Sequence, residues 1–268
     1  MATVSLKASA LAPGVSPIEI HYREWGSGTP LVFLHGGWGY EFYSFQRQVD
    51  LFAGKFRMIA PDRTGYGRST RVTQHPDAFH LAAANETTDF LDAIGVKRPV
   101  LWGHSDGAVI AAIMGLTSPD RFPGLILEAF HFYRNKAGSR DFFETMFEDP
   151  DRFGERVAAM LAREHGPQHW REVLEMEGRA WLKIIEESSQ PEKDLFGGRL
   201  SELAVPTVFI HGERDPRTEP GELDALKRQL PRAGLEVIGG AGHSPHTESA
   251  AVDECNTIAE RFLAKILA

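Results

Sequence analysis

The chain has 268 residues, with 29 Lys+Arg against 37 Asp+Glu and a formal net charge of -8. That length can bury one large α/β core without a second domain, and an acidic balance with no basic stretch leaves no electrostatic footprint for nucleic acid. A single cysteine, Cys255, excludes an intrachain disulfide, and no apolar run approaches the ~20 residues that cross a bilayer. Met1 to Pro13 has neither the charged start nor the long apolar segment of a secretory signal, so the expectation is a cytoplasmic protein with a small-molecule partner and no membrane association.

From Ile18 to Arg23 apolar and polar residues alternate, which predicts an early edge strand ended by the turn cluster Gly26-Ser27-Gly28-Thr29-Pro30. Leu31-Val32-Phe33-Leu34 is continuously apolar, as a strand covered on both faces is, and runs into His35-Gly36-Gly37-Trp38-Gly39. A helix is expected from about Ser44 to Ala53, a strand over Phe56 to Ala60, and a helix from about Phe79 to Ile94 with Gly95 as its stop. Pro99-Val100-Leu101-Trp102 and Gly124 to Phe130 read as two further buried strands on either side of a helix. Strands and helices alternating at this spacing predict a mainly parallel sheet with helices on both faces, since parallel neighbours need crossover connections.

From His131 to Ala204 the rhythm changes, with aromatic and charged residues at helical spacing and no strand pattern. A structureless loop of that length is improbable in a compact domain. The expectation is a helical cap over 131–204, with helices at about Arg140 to Phe147, Asp151 to Glu164 and Gln168 to Glu187, inserted into a core formed by 1–130 and 205–268. The alternation resumes with the strand Val205 to Gly212, a helix from about Gly221 to Gln229, the strand Leu235 to Ile238 and a final helix from about Ser249 to Leu267.

Between strand and helix lies Gly103-His104-Ser105-Asp106-Gly107, a G-x-S-x-G turn. Such a turn forces its serine into a strained conformation above the sheet edge, and the glycines remove Cβ atoms that would collide as strand and helix close together. The following helix aims unpaired N–H groups, beginning with that of Asp106, at the spot where charge develops on a substrate oxygen. Alone, the pentapeptide also occurs in turns without chemistry. A serine hydroxyl needs a base, and the base needs an orienting acid. Asp215, in the loop after a buried strand, and His243, after the last strand, follow in the order Ser, Asp, His, each at the strand end where open α/β sheets bind ligands.

That order together with the elbow resembles the α/β-hydrolase fold family along nearly the whole chain. His35-Gly36-Gly37 resembles its oxyanion loop, Asp62-Arg63-Thr64-Gly65-Tyr66-Gly67-Arg68-Ser69 its D-x-x-G-x-G-x-S stretch, Gly212 to Asp215 its acid loop, and Gly242-His243 with Glu248 its histidine segment. The resemblance implies Ser105 as nucleophile, His243 as base, Asp215 as the acid, and the backbone N–H groups of Gly37 and Asp106 as the oxyanion hole. His246 is the competing base and Glu128 the competing acid; His243 and Asp215 match the family spacing better. His35, His104 and Asp62 read as packing or loop-tying groups. Gly166-Pro167 between His165 and His169 breaks the helix that would pair them on a metal, and Gly65 to Thr70 lacks the third glycine of a dinucleotide turn, so neither metal nor cofactor is expected.

The resulting expectation is a serine hydrolase that cleaves an ester, thioester or lactone of a small, largely apolar substrate through an acyl-enzyme. Serine at the elbow argues against the dehalogenases and epoxide hydrolases of this fold, which use aspartate. Cleavage of carbon–carbon bonds in ring-cleavage products, enol-lactone hydrolysis, perhydrolysis, acyl transfer and cyanohydrin cleavage share the scaffold, and a non-enzymatic small-ligand binding module is the alternative from a different class.

Overall fold

The computed structural model describes residues 1–188 and 193–268. In chain order its elements are β1 (Ala2–Leu6), β2 (Ile18–Trp25), β3 (Thr29–Leu34), α1 (Gln46–Phe52), β4 (Phe56–Pro61), α2 (Phe79–Ala93), β5 (Val100–His104), α3 (Asp106–Thr117) and β6 (Leu125–Glu128). There follow α4 (Arg140–Glu148), α5 (Glu155–His165), α6 (His169–Glu186), β7 (Thr207–Gly212), α7 (Glu222–Gln229), β8 (Gly234–Ile238) and α8 (Val252–Leu267). The strands form one 8-stranded sheet in the order β1-β2-β4-β3-β5-β6-β7-β8. β2 runs antiparallel to both β1 and β4, and every other pairing is parallel.

Strand alternation divides the core. Leu31, Phe33, Val100, Trp102, Ile126, Val208 and Ile210 pack beneath α1 and α8, whereas Val32, Leu34, Leu101, Leu125, Leu127 and Phe209 pack with α2 and α3 on the other face. Both faces of the central strands are therefore covered, which is why they read as unbroken apolar runs. The chain order reverses between β3, whose next partner is β4, and β5, whose next partner is β6. The crevice at the C-terminal ends of β3 and β5 is thus the topological switch point of the sheet.

Three expectations change. The strand Ile18–Trp25 lies inside the sheet, because Ala2–Leu6 pairs along its outer side through register partners from Ala2↔Tyr22 to Leu6↔Ile18. Only Leu6 of β1 is buried, so that strand carries no apolar periodicity to read. The helix expected from Asp151 to Glu164 is split: Pro150–Phe153 makes a single 3₁₀ turn, Gly154 takes φ 88°, and α5 starts afterwards. The strand expected to reach Phe130 stops at Glu128, since Ala129 adopts φ 50° and turns the chain out of the sheet. Between β6 and β7 the described residues contain helices α4 to α6 and one isolated bridge, Tyr133 to Asp194. No helix is long and apolar enough to cross a membrane among the described residues.

Candidate active site

Ser105 sits between β5 and α3 with φ 56° and ψ -120°, a left-handed conformation that non-glycine residues adopt only when their surroundings impose it. The imposition is visible: a Cβ at Gly103 would lie 2.2 Å from the Gly107 carbonyl oxygen, and one at Gly107 would lie 2.0 Å from that of Leu34. Glycine at both places lets β3, β5 and α3 meet and leaves the serine as the residue that absorbs the turn. The Ser105 N–H is tied to the Glu128 carbonyl oxygen at 2.9 Å, so the elbow is also fastened to β6.

From Ser105 Oγ, His243 Nε2 is 3.1 Å away, and His243 Nδ1 lies 2.9 and 3.0 Å from the two carboxylate oxygens of Asp215. Burial by itself would raise the Asp215 carboxyl, but the His243 imidazole beside it, its hydrogen bond, and the Arg217 N–H hold it below its ordinary range. The histidine loop is braced by Glu248, which accepts from Gly242 N–H (2.7 Å) and Ser244 N–H (2.9 Å). His104 lies under the loop with Nε2 3.0 Å from the His243 carbonyl oxygen, and burial lowers its imidazole to about 3.

Glu128 and His246, the competing acid and base, form a separate pair. Glu128 Oε1 accepts from the His246 N–H (2.9 Å) and faces its Nδ1 at 2.8 Å, while Oε2 accepts from Trp102 Nε1 at 3.0 Å. The His246 ring stacks on Phe45 at 4.2 Å, and its Nε2 is spent on the Tyr43 carbonyl oxygen. The structure therefore brings Asp215 and His243, and not Glu128 or His246, to Ser105. His165 is structural too, its Nδ1 accepting from Gly67 N–H (2.9 Å) and its Nε2 donating to the Trp38 carbonyl oxygen (3.1 Å). Asp62 accepts from Arg23, from the His21 ring and from Arg68 N–H, tying the loop after β4 to β2.

Gly36 and Gly37 follow β3, and Gly36 lies beside the elbow. Arg63 fixes that loop by donating to the His35 carbonyl oxygen at 2.6 Å, and His35 Nε2 in turn accepts the Arg63 N–H at 3.1 Å. A Cβ on Gly37 would lie 2.8 Å from the Glu177 carboxyl, so this glycine lets the Glu177 side chain sit against the loop. Gly37, Ser105 and Asp106 all line one cavity.

Sequence reading missed His131 and Glu177. His131 Nε2 is 3.1 Å from Ser105 Oγ, so two imidazoles flank the hydroxyl. The hydroxyl has one proton; if it donates to His243, His131 must donate its own Nε2–H. Burial, reinforced by the Lys136 and His243 charges, pushes His131 well below its ordinary range, which favours a neutral ring, and a neutral ring donates there only as its Nε2–H tautomer. Its segment is anchored by Glu222, which accepts from Phe132 and Tyr133 N–H groups at 2.7 and 2.9 Å. The available signal was a polar residue just past the end of a buried strand.

Glu177 lies on the apolar stripe of α6 between Val173 and Trp181, and a carboxyl on such a stripe was its signal. Burial first, and then the Asp106 charge, pushes it well above the usual carboxyl range. Asp106 goes the other way: burial opposes ionisation, but the His80 hydrogen bond and charge prevail, with Glu177 and Arg63 assisting. Asp106 Oδ1 accepts from His80 Nε2 (2.9 Å) and Trp181 Nε1 (3.2 Å), while Tyr66 Oη–H donates to Glu177. The two carboxyls are thus pulled in opposite directions, Glu177 toward its protonated form and Asp106 toward its charged form, with the Asp106 charge shared between the His80 and Trp181 N–H donors.

The cavity has a volume of about 120 Å³, and Trp38, Tyr43, Phe142, Phe143, Met146 and Trp181 make most of its apolar wall. Other aromatics and methionines of the segment between β6 and β7, among them Trp170 and Met176, are core. No group of three or more metal-ligating side chains occurs among the described residues.

A sequence model described as the alpha/beta hydrolase family matches residues 31–255. The chain belongs to the α/β hydrolase family. Among curated proteins it is 25% identical to mouse (Mus musculus) serine hydrolase BPHL, over 98% of this chain and 89% of that protein. It is 29% identical to a 2-hydroxy-6-oxononadienedioate/2-hydroxy-6-oxononatrienedioate hydrolase of Burkholderia vietnamiensis, over 87% of each chain. A solved thermophilic esterase from Thermogutta terrifontis shares the fold with a TM-score of 0.73 at 19% identity, over 99% of both chains.

Proposed function

We propose that this chain is a serine hydrolase cleaving an ester, thioester or lactone of a small, largely apolar substrate through an acyl-enzyme. The observation that carries the reading is the unbroken hydrogen-bonded run from Asp215 through His243 to Ser105 Oγ, opening into an aromatic-walled cavity. In this reading His243 Nε2 takes the Ser105 proton as Oγ attacks the carbonyl carbon, and Asp215 supports the imidazolium. The Gly37 and Asp106 N–H groups receive the oxyanion. His243 then passes its proton to the departing alkoxide, and a water activated by the same imidazole releases the acid. Residues 131–204 act as the cap of a core made from 1–130 and 205–268, supplying Phe142, Phe143, Met146, Glu177 and Trp181 to the cavity.

The test is fluorophosphonate labelling of Ser105 together with turnover of p-nitrophenyl acetate. Stoichiometric labelling with fast turnover supports the hydrolase, whereas labelling without turnover supports a ligand-binding module. Within the hydrolase reading, an apolar wall makes acyl length matter: each further buried CH₂ contributes up to ~0.8 kcal/mol. Going from acetate to butyrate esters is expected to raise kcat/KM by roughly tenfold, with a plateau once the cavity is full. A flat series from acetate to octanoate would mean that the acyl chain does not enter this cavity.

His131 adds a second donor at the nucleophile. His131→Phe keeps a ring against Trp181 and His243 but removes the Nε2–H, and kcat/KM for p-nitrophenyl acetate is expected to fall by about tenfold, the worth of one such hydrogen bond. An unchanged rate would mean that His131 only fills space.

A second reading, hydrolysis of a carbon–carbon bond beside an activated carbonyl, uses the same Ser105, His243 and Asp215. It is favoured by the likeness to the dienedioate hydrolase over most of both chains. Turnover of a ring-cleavage dienoate at a higher kcat/KM than any ester would select it.

A further inference from the structure

Arg217 lines the cavity from the loop that also carries Asp215, and its guanidinium carbon lies 4.0 Å from the centre of the Phe142 ring. Its backbone is held on both sides: the N–H donates to Asp215 Oδ1 at 2.8 Å, and the carbonyl oxygen accepts from Lys136 Nζ at 3.0 Å. Lys136 is itself buried and paired with Glu222, so the loop is fixed to the start of α7. The guanidinium has no comparable partner. Arg217 Nη1 is buried without a hydrogen-bond acceptor among the described residues. The carboxylates nearest in charge are engaged elsewhere, Asp215 with His243 and Glu219 with the Gly138 N–H at 3.0 and 3.2 Å. Burial lowers the Arg217 guanidinium from its ordinary value, the sign of a cation short of compensation, although it stays charged in any mild buffer.

The buried arginines Arg23 and Arg63 are compensated. Arg63 donates to backbone oxygens, and Arg23 is paired with Asp62. A half-buried guanidinium stacked on an aromatic ring with its fork unfilled is instead arranged to meet a planar anion.

Building on the hydrolase reading, we infer that Arg217 is an anion subsite, and that the substrate carries a carboxylate at the end of its apolar body remote from the bond Ser105 attacks. A monoanion matches the single guanidinium. A phosphate dianion would bring one uncompensated charge into an aromatic-walled cavity, which is costly.

The test compares p-nitrophenyl hemiadipate with p-nitrophenyl hexanoate, which differ by a carboxylate in place of the terminal methyl. Relative to wild type, Arg217→Gln is expected to lower the hemiadipate-to-hexanoate ratio of kcat/KM by at least about tenfold. Arg217→Lys, which keeps the charge but loses the fork, is expected to fall between them, and it carries the comparison if the glutamine variant does not fold. Binding supplies a readout independent of turnover. Ser105→Ala should bind monomethyl adipate with an affinity that drops at least about tenfold on adding Arg217→Gln, while methyl hexanoate shows a smaller change. Loss of that binding difference, or kcat/KM ratios equal within twofold across the three proteins, would overturn the subsite. Discrimination in binding with no turnover of either ester would uphold the subsite and overturn the hydrolase reading.

Discussion

Ser105→Ala is expected to lower ester turnover by about 10⁴- to 10⁶-fold and to abolish fluorophosphonate labelling, while the variant unfolds at nearly the wild-type temperature. The rate loss follows from geometry: Oγ is the atom on which His243 Nε2 and His131 Nε2 converge, each at 3.1 Å. The stability expectation follows from the turn. Its strain is imposed by the close approach of Gly103 and Gly107 to neighbouring backbone, which alanine leaves unchanged. Removing one hydroxyl at the cavity wall should cost less than about 1 kcal/mol. Retention of more than about a hundredth of wild-type turnover in a folded Ser105→Ala protein would mean that another group carries the reaction.

The second large effect separates two acid–imidazole pairs that look alike in sequence. Asp215→Asn is expected to cost about 10⁴-fold in kcat, because a neutral amide neither fixes the His243 tautomer nor supports its positive charge. Glu128→Gln should act on stability instead. The Glu128 carboxylate is fully buried and serves three donors, the His246 N–H, the His246 ring and Trp102 Nε1, so losing its charge should cost about 3 kcal/mol, read as a lower denaturation midpoint. The folded fraction of that variant should keep most of its rate. The pH dependence has a definite sign as well. The folded chain holds the Asp215 carboxyl below its ordinary 3.8, so its stabilising contribution is complete above that pH and is lost as pH falls through the lower folded value. A rate loss confined to Glu128→Gln would exchange the roles of the two acids.

Periodicity made the sheet legible because its central strands are buried on both faces, and a short apolar run such as Leu31 to Leu34, bounded by turn residues, is what such burial demands. β1 was not legible, since its pairing with β2 is made by backbone groups while its side chains, except Leu6, face outward or lie half-exposed. The Gly154 break between β6 and β7 was similarly hidden, because a single glycine in a helical pattern does not announce a positive φ. At the site, Ser105, Asp215 and His243 were legible as a set because each follows a strand end that the alternation had already placed, and their side chains lie within hydrogen-bond distance of one another. His131 and Glu177 were not. Their meaning depends on where the segment after β6 and helix α6 fold back, a matter of tertiary contact with Ser105, Gly37 and Asp106 that no local pattern encodes. Arg217 was hidden for a related reason: an arginine in an exposed-looking acid loop becomes informative only when its fork is found without a partner beside Phe142.

In the proposed reaction Ser105 becomes covalently acylated. Rapid acid quench of the wild-type protein mixed with p-nitrophenyl acetate, followed by peptide mass mapping, tests it directly. A burst of p-nitrophenol equal to the enzyme present is expected, with an acetyl group on the peptide containing Ser105 that is absent from Ser105→Ala. Sustained turnover with no acetyl group on Ser105, or with the label on another side chain, would contradict it.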